Sequence, residues 1–279
     1  MSACEQTGAP VGSPGTGLKR MLQRGLRRAH LLFARQELPE HMALYLHSLD
    51  ESERPALREM LRWCVDTGRT FVDTGRYLEP DCPSGAVNIS FDDNHRGWHS
   101  ALDIFAEFKV PVTFYTNTCV ARGRSTADET RAYYDLVGHH GVREPLTAEE
   151  IAGIHRAGHI IGAHTHRHLA MRRVPLDEAR EDLETNRRIL QEITGAPIAH
   201  FSYTFGIRRH FSPALAAMVR SMGFQSIAAA TPGMLYAPRE PGLIQRTYWM
   251  LDRPLAWNAE NLRVNGQLWV KSTALSPIG

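Results

Sequence analysis

Two short stretches of this chain carry residue types that could do hydrolytic chemistry. One is Ser90-Phe91-Asp92-Asp93, which closes an apolar run, and the other is His164-Thr165-His166-Arg167-His168, which closes a second. Two buried carboxylates side by side oppose each other's ionisation unless a cation is near. Two imidazoles and one of those carboxylates form a three-ligand set of the kind zinc takes in catalytic sites, with a position left for water. His164 and His168 stand four residues apart, so one helical turn would bring both rings to one side and send His166 away. Adjacent residues at a strand end point to opposite sides, so one aspartate can ligate while the other accepts a proton. Each motif alone also reads as a solvated turn, a helix cap or a surface pair. Both close strand-like runs, and that coincidence joins them.

The elements around them alternate. Strand-like runs fall at 69–72, 86–91, 111–116, 159–163, 199–203, 224–229 and 243–249, and the run at 111–116 is rich in β-branched and aromatic residues. Helical periodicity marks 52–67, closed by Gly68, and about 98–108, with Leu102, Phe105 and Phe108 inward. Thr147 and Glu150 form a capping box, supported by a staple between Leu146 and Ile151, and that helix ends at Gly158. A long helix over 175–194 turns Leu176, Ala179, Leu183, Leu190 and Ile193 inward and stops at Gly195. Ser212-Pro213 opens another, ended by Gly223. Residues 121–145 read as a long polar insertion that forms one wall of a cleft. Strands alternating with helices imply parallel pairing, hence an α/β sheet or barrel, in which loops at the carboxyl ends of strands carry the chemistry. Both motifs lie at such ends.

The 279 residues, 43% hydrophobic with a formal charge of +2, suit an ordinary globular domain and give no case for nucleic-acid binding. Cys4, Cys64, Cys82 and Cys119 show neither a C-x-x-C pair nor a disulfide framework, which points to a reducing compartment and makes the cytoplasm the default. No run approaches the roughly 20 apolar residues of a membrane span. Residues 1–17 read as a disordered tail and 18–38 as a basic amphipathic segment. Within it, residues 18–35 carry Lys19, Arg20, Arg24, Arg27, Arg28 and Arg35 without an acid. A helix packed by its apolar side is the favoured reading there, and peripheral contact with the inner membrane face the alternative. A catalytic domain would occupy 39–265, with a C-terminal tail at 266–279.

Ile89-Ser90-Phe91-Asp92-Asp93 resembles the first motif of the polysaccharide deacetylases (carbohydrate esterase family 4, the NodB homology domain). His164-Thr165-x-x-His168 resembles the second, and Phe201-Ser202-Tyr203-Thr204-Phe205-Gly206 is similar to a variant third motif. The order and spacing agree over about residues 40–250. The resemblance implies a distorted (β/α) barrel holding one divalent metal, most often zinc, with cobalt or nickel as alternatives. It implies Asp93, His164 and His168 as ligands and Asp92 as general base. Metal-activated water would attack the acetyl carbonyl of an N-acetylated amino sugar, and a backbone N–H near Phe205 would help hold the oxyanion. For a cytoplasmic enzyme the substrate would be a saccharide or a nucleotide- or lipid-linked precursor.

Three positions depart from the family pattern. Ser202 stands where an arginine commonly orients the catalytic aspartate, Asn94 stands where glycine is usual, and no histidine follows His210 to act as the late general acid. The leaving amine needs a proton, for which His95 is the candidate donor, and Arg246 is the candidate replacement arginine. Among the aromatics, Tyr203 and Trp249 are the candidates for stacking on sugar rings. Two other functions fit the same residues: hydrolysis of a non-sugar amide, and a catalytically impaired carbohydrate-binding relic.

Overall fold

The computed structural model describes residues 38–121, 125–139, 141–207, 210–231 and 242–268. The tail expected over 1–17, nearly all of the basic segment at 18–38 and most of the tail from 266 lie outside these residues. The strands are β1 (Met42–Leu46), β2 (Thr70–Phe71), β3 (Ala86–Asp93), β4 (Val112–Thr116), β5 (Ile160–Ala163), β6 (His200–Ser202), β7 (Ser226–Ala229), β8 (Leu243–Gln245) and β9 (Thr247–Tyr248). The helices are α1 (Arg54–Asp66), α2 (Thr74–Leu78), α3 (Gly97–Ser100), α4 (Leu102–Phe108), α5 (Ala127–Val137), α6 (Ala148–Arg156), α7 (Leu176–Thr194), α8 (Pro213–Ser221) and α9 (Leu255–Leu268). None of them is long and apolar enough to cross a membrane.

The strands pair in the order β8-β7-β6-β5-β4-β3-β1-β9, with β2 joined to β3, and every pairing is parallel. The two ends of that path, β8 and β9, are separated in sequence by Arg246 alone. One extended segment therefore pairs with β7 through its first half and with β1 through its second. That seam turns an open sheet into a nearly closed (β/α) barrel.

Alternation along β3 separates two environments. Val87, Ile89 and Phe91 belong to the apolar layer beneath the helices, where Phe91 stacks on Phe114 at 5.5 Å and meets Trp98 at 6.0 Å. Asn88, Ser90 and Asp92 take the opposite face. Asn88 donates to the Val72 carbonyl and the Thr74 hydroxyl, and Ser90 donates to the Leu44 carbonyl at 3.1 Å. Gly162 on β5 is needed for close approach: a Cβ there would sit 2.5 Å from the Tyr115 ring.

Three local expectations change. The supposed insertion at 121–145 contains α5, opened by a capping box in which Thr126 accepts from the Glu129 N–H and Glu129 accepts from the Thr126 N–H at 2.8 Å. The helix expected over 98–108 is two, α3 and α4. Leu176, expected inward, is exposed in the first turn of α7. The Thr147–Glu150 box forms as expected.

Candidate metal centre

Asp93, His164 and His168 come together at the carboxyl edge of the barrel. Each is buried, and the nearest ligand atoms of the three lie within 4.8 Å of one another. His168 Nε2 is 3.2 Å and His164 Nε2 3.5 Å from Asp93 Oδ1. The two histidines do not meet through a helical turn. Thr165 and His168 have φ of +65° and +53°, and Asp93 and Phe205 have +87° and +59°. Left-handed backbone at such residues costs roughly 1–3 kcal/mol each, and persists only where the surroundings dictate it.

Two asparagines supply much of that constraint, and neither stands out in the sequence. Asn117, just past β4, donates from its backbone to the Asp93 carbonyl at 2.9 Å and from its side chain to the carbonyls of His164 and Thr165. Asn186 of α7 accepts the His164 N–H at 3.0 Å and donates to the Thr116 carbonyl at 3.0 Å. Asp182, also on α7, accepts from the His166 N–H at 2.7 Å and pairs with Arg167. The ligand loop is thus bound on one side to β4 and on the other to α7.

The residues present fit a divalent cation of the zinc, cobalt or nickel kind. The His164 Nδ1–H donates to the Ser202 carbonyl at 2.9 Å, which leaves Nε2 with its lone pair facing Asp93. Asp93 Oδ1 is buried and, among the described residues, no aligned hydrogen bond reaches it. Burial opposes ionisation of Asp93, but with no cation bound the protonated imidazoles hold the carboxyl well below its ordinary range. Burial of His164 is outweighed by the two aspartates, which raise its pKa; a bound cation would take the place of those protons. Burial depresses His168, which favours the neutral imidazole that a metal requires. A set of two nitrogens and one oxygen suits these metals better than calcium or magnesium, which take oxygen ligands.

Asp92 turns the other way, onto Arg246. The guanidinium grips it with two bonds of 2.7 Å, to Oδ1 and Oδ2, and also donates to the hydroxyls of Ser90 at 2.9 Å and Ser202 at 2.7 Å. Arg246 is wholly buried, its charge lying 4.8 Å from the Tyr45 ring centre and 5.1 Å from that of Tyr115. Burial opposes the Asp92 charge, but Arg246 outweighs it and lowers the carboxyl pKa. Ser202, at the third-motif position where the arginine was missing, is a hydrogen-bond partner of the arginine that reaches Asp92 from the seam.

His47 is a residue the sequence reading passed over. It follows β1, whose short apolar run Met42-Ala43-Leu44-Tyr45-Leu46 carries no turn signals to mark it as a strand. Its ring meets Tyr45 at 5.4 Å and Tyr248 at 5.1 Å, both edge to face, and its carbonyl accepts from the Trp98 indole at 2.7 Å. Next to that loop Gly97 lies so close that a Cβ would overlap the Leu49 carbonyl. The His47 imidazole is near enough to both aspartates to favour their ionised forms.

Other expected site residues go elsewhere. His95 is buried among Trp98, Tyr134 and His139, with ring centres 5.8, 5.4 and 4.4 Å away, and burial pushes its pKa down to about 3. Tyr203 packs between Phe201 and Phe211, and Trp249 packs against Trp63 at 5.4 Å; both belong to the apolar core and offer no face to a sugar. Their place at the surface is taken by Phe205 and Tyr248, each more than a third exposed. Phe205 meets His168 edge to face at 4.6 Å.

A family model described as polysaccharide deacetylase matches residues 80–227. Among solved structures, a polysaccharide deacetylase from Bacillus cereus is 16% identical with a TM-score of 0.62, over 80% of this chain and 68% of that one. IcaB from Ammonifex degensii is 17% identical with a TM-score of 0.61, over 81% of this chain and 97% of its own. The deacetylase PplD from Streptococcus pyogenes, solved in complex with acetate, is 13% identical with a TM-score of 0.61, over 81% and 97%. At these identities the likeness is one of fold. No curated protein matches the chain.

Proposed function

Because the chain belongs to the polysaccharide deacetylase family, whose model spans 80–227 of its 279 residues, we propose that it removes the acetyl group from an N-acetylated amino sugar by metal-assisted hydrolysis. The observation that carries this reading is the buried Asp93, His164 and His168 cluster with Asp92 beside it, held by Arg246.

A divalent cation held by Asp93, His164 and His168 would supply Lewis acidity to the amide carbonyl and lower the pKa of the attacking water. Asp92 accepts the proton from that water. Arg246 keeps the Asp92 carboxylate ionised and fixes both its oxygens, so its direction is set before substrate arrives. The Phe205 backbone N–H is the candidate donor to the oxyanion. The C–N bond breaks when the amine nitrogen gains a proton, and in this reading His47 supplies it in place of His95. His95 is enclosed by three rings, whereas His47 stands just past the carboxyl end of β1, the strand that pairs with β3, and so at the same barrel edge as the aspartates. The products are acetate and the free amino sugar. Free thiols at Cys64, Cys82 and Cys119 support a reducing compartment, hence a nucleotide- or lipid-linked precursor rather than a finished polymer.

The test is metal content of the purified protein beside His164→Ala, followed by acetate release from N-acetylglucosamine oligosaccharides and nucleotide-linked N-acetylglucosamine. About one metal per chain, lost in the variant, with acetate released by wild type, is the expected result. Metal retained without turnover on any sugar would leave a binding relic, and turnover on simple amides alone would move the substrate outside saccharides.

A further inference from the structure

Past the ligand loop the chain builds a rim. The Thr204 hydroxyl donates to the Leu169 carbonyl at 2.5 Å, which stitches the loop after β5 to the loop after β6. Immediately beyond comes a single 3-10 turn, Met171–Arg173, closed by the Arg173 N–H on the Ala170 carbonyl at 2.7 Å. Met171 is buried and anchors the turn; Arg172 and Arg173 are exposed. Between this turn and His210 lies a cavity of about 250 Å³, lined by Ala170, Arg172, Arg173 and His210. The charged residues of this lining are the two arginines.

The cavity adjoins the candidate centre through one side chain. Phe205 meets the ligand His168 at 4.6 Å on one side and His210 at 5.2 Å on the other, and it is 39% exposed. A sugar lying on Phe205 with its acetyl group at the metal ligands would direct its next substituent toward the two arginines. Guanidinium groups match phosphate and carboxylate oxygens with paired hydrogen bonds, and a neutral hydroxyl offers them far less. We propose that this cavity binds an anionic substituent, phosphate or carboxylate, on or next to the acetylated sugar, so that the enzyme selects a charged amino-sugar substrate over a neutral one. The proposal rests on the deacetylase reading and narrows its substrate class.

The experiment compares kcat/KM for N-acetylglucosamine 1-phosphate, uridine-diphosphate N-acetylglucosamine and N-acetylmuramic acid with that for neutral N-acetylglucosamine and its dimer. Wild type is expected to favour at least one charged substrate by about tenfold or more, a preference that shrinks as salt is raised. The phosphate and carboxylate arms identify which anion is meant. In the Arg172→Gln/Arg173→Gln double variant the ratio of charged to neutral kcat/KM falls to near one, and Arg172→Lys/Arg173→Lys, which keeps the charge but not the paired hydrogen bonds, retains only part of the preference. Equal rates on charged and neutral sugars in wild type, or an unchanged preference in the Gln variant, would overturn the proposal. Should the metal-loaded wild type cleave none of these sugars, the deacetylase reading fails separately. The cavity is then judged by titration calorimetry with N-acetylglucosamine 1-phosphate: binding to wild type that is lost in the Gln variant upholds it, and no binding overturns it.

Discussion

The two sides of the barrel mouth are built on different plans. On the metal side, Asp93, His164 and His168 come from the ends of β3 and β5, and left-handed backbone at Asp93, Thr165 and His168 aims them. Their anchors, Asn117 and Asn186, hold main chain rather than the ligand rings. On the seam side, Arg246, His47, Tyr45 and Tyr248 come from segments about two hundred residues apart, joined by the β1–β9 pairing of Leu44 with Thr247. There the side chains hold one another through a buried ion pair and stacked rings. Local backbone geometry places the candidate ligands, whereas closure of the sheet brings Arg246 onto Asp92 and Tyr248 against Tyr45 and His47. The two sets should therefore fail in different ways when perturbed.

The largest effect should come from the metal side. Asp93→Ala or His168→Ala is expected to remove bound metal and bring acetate release to background; metal analysis beside the activity assay checks it, and retained metal would break the assignment. On the seam side, His47→Gln should keep the metal and lower kcat by about 10²–10⁴. If His95→Gln shows that loss and His47→Gln does not, the donor belongs where the sequence first suggested. Arg246→Met strands the buried Asp92 charge and should cost about 3–5 kcal/mol in urea unfolding, much of it restored in the Asp92→Asn/Arg246→Met double variant. A smaller effect concerns acid. The folded Asp92 and Asp93 carboxyls lie below the ordinary value of 3.8, so their contribution to stability is full above that value and is lost as pH falls through the folded pKa. Metal-free Asp92→Asn should therefore show a shallower loss of stability between about pH 5 and pH 2 than metal-free wild type, followed by circular dichroism.

Legibility in the sequence follows the same division. The alternation of strands and helices, the Thr147–Glu150 cap and the two stretches that carry Asp93, His164 and His168 are all readable, because each is a local pattern of residue type. Thr126 and Glu129 have the same capping signature as Thr147 and Glu150, but the polar composition of 121–145 masks it. The helical turn assumed for His164 to His168 failed because left-handed residues leave no periodic mark. Tyr203 and Trp249 were assigned to the sugar, while Phe205 and Tyr248 are the exposed rings. On strands of two or three residues, with β8 giving way to β9 at Arg246, alternation cannot say which side a residue faces. His47 could be found only once β1 was placed beside β3 and β9. Arg246 was reachable from sequence as an arginine on the last strand-like run that could replace the one missing at Ser202, but its partners Ser90, Ser202, Tyr45 and Tyr115 required the closed sheet.

The seam also sets an order of assembly. Contacts between segments so distant along the chain pay the largest loop-closure entropy, and pairings of that kind form late and slowly. A nascent chain emerging from the ribosome presents β3, β5 and the whole ligand loop well before residues 243–248 exist. It can gather its histidines and aspartate early, but the arginine that disciplines Asp92 arrives only with the closing segment. Gathering of the Asp93, His164 and His168 cluster and the fixing of Asp92 by Arg246 are thus separate events in the life of each molecule, with the second coming later.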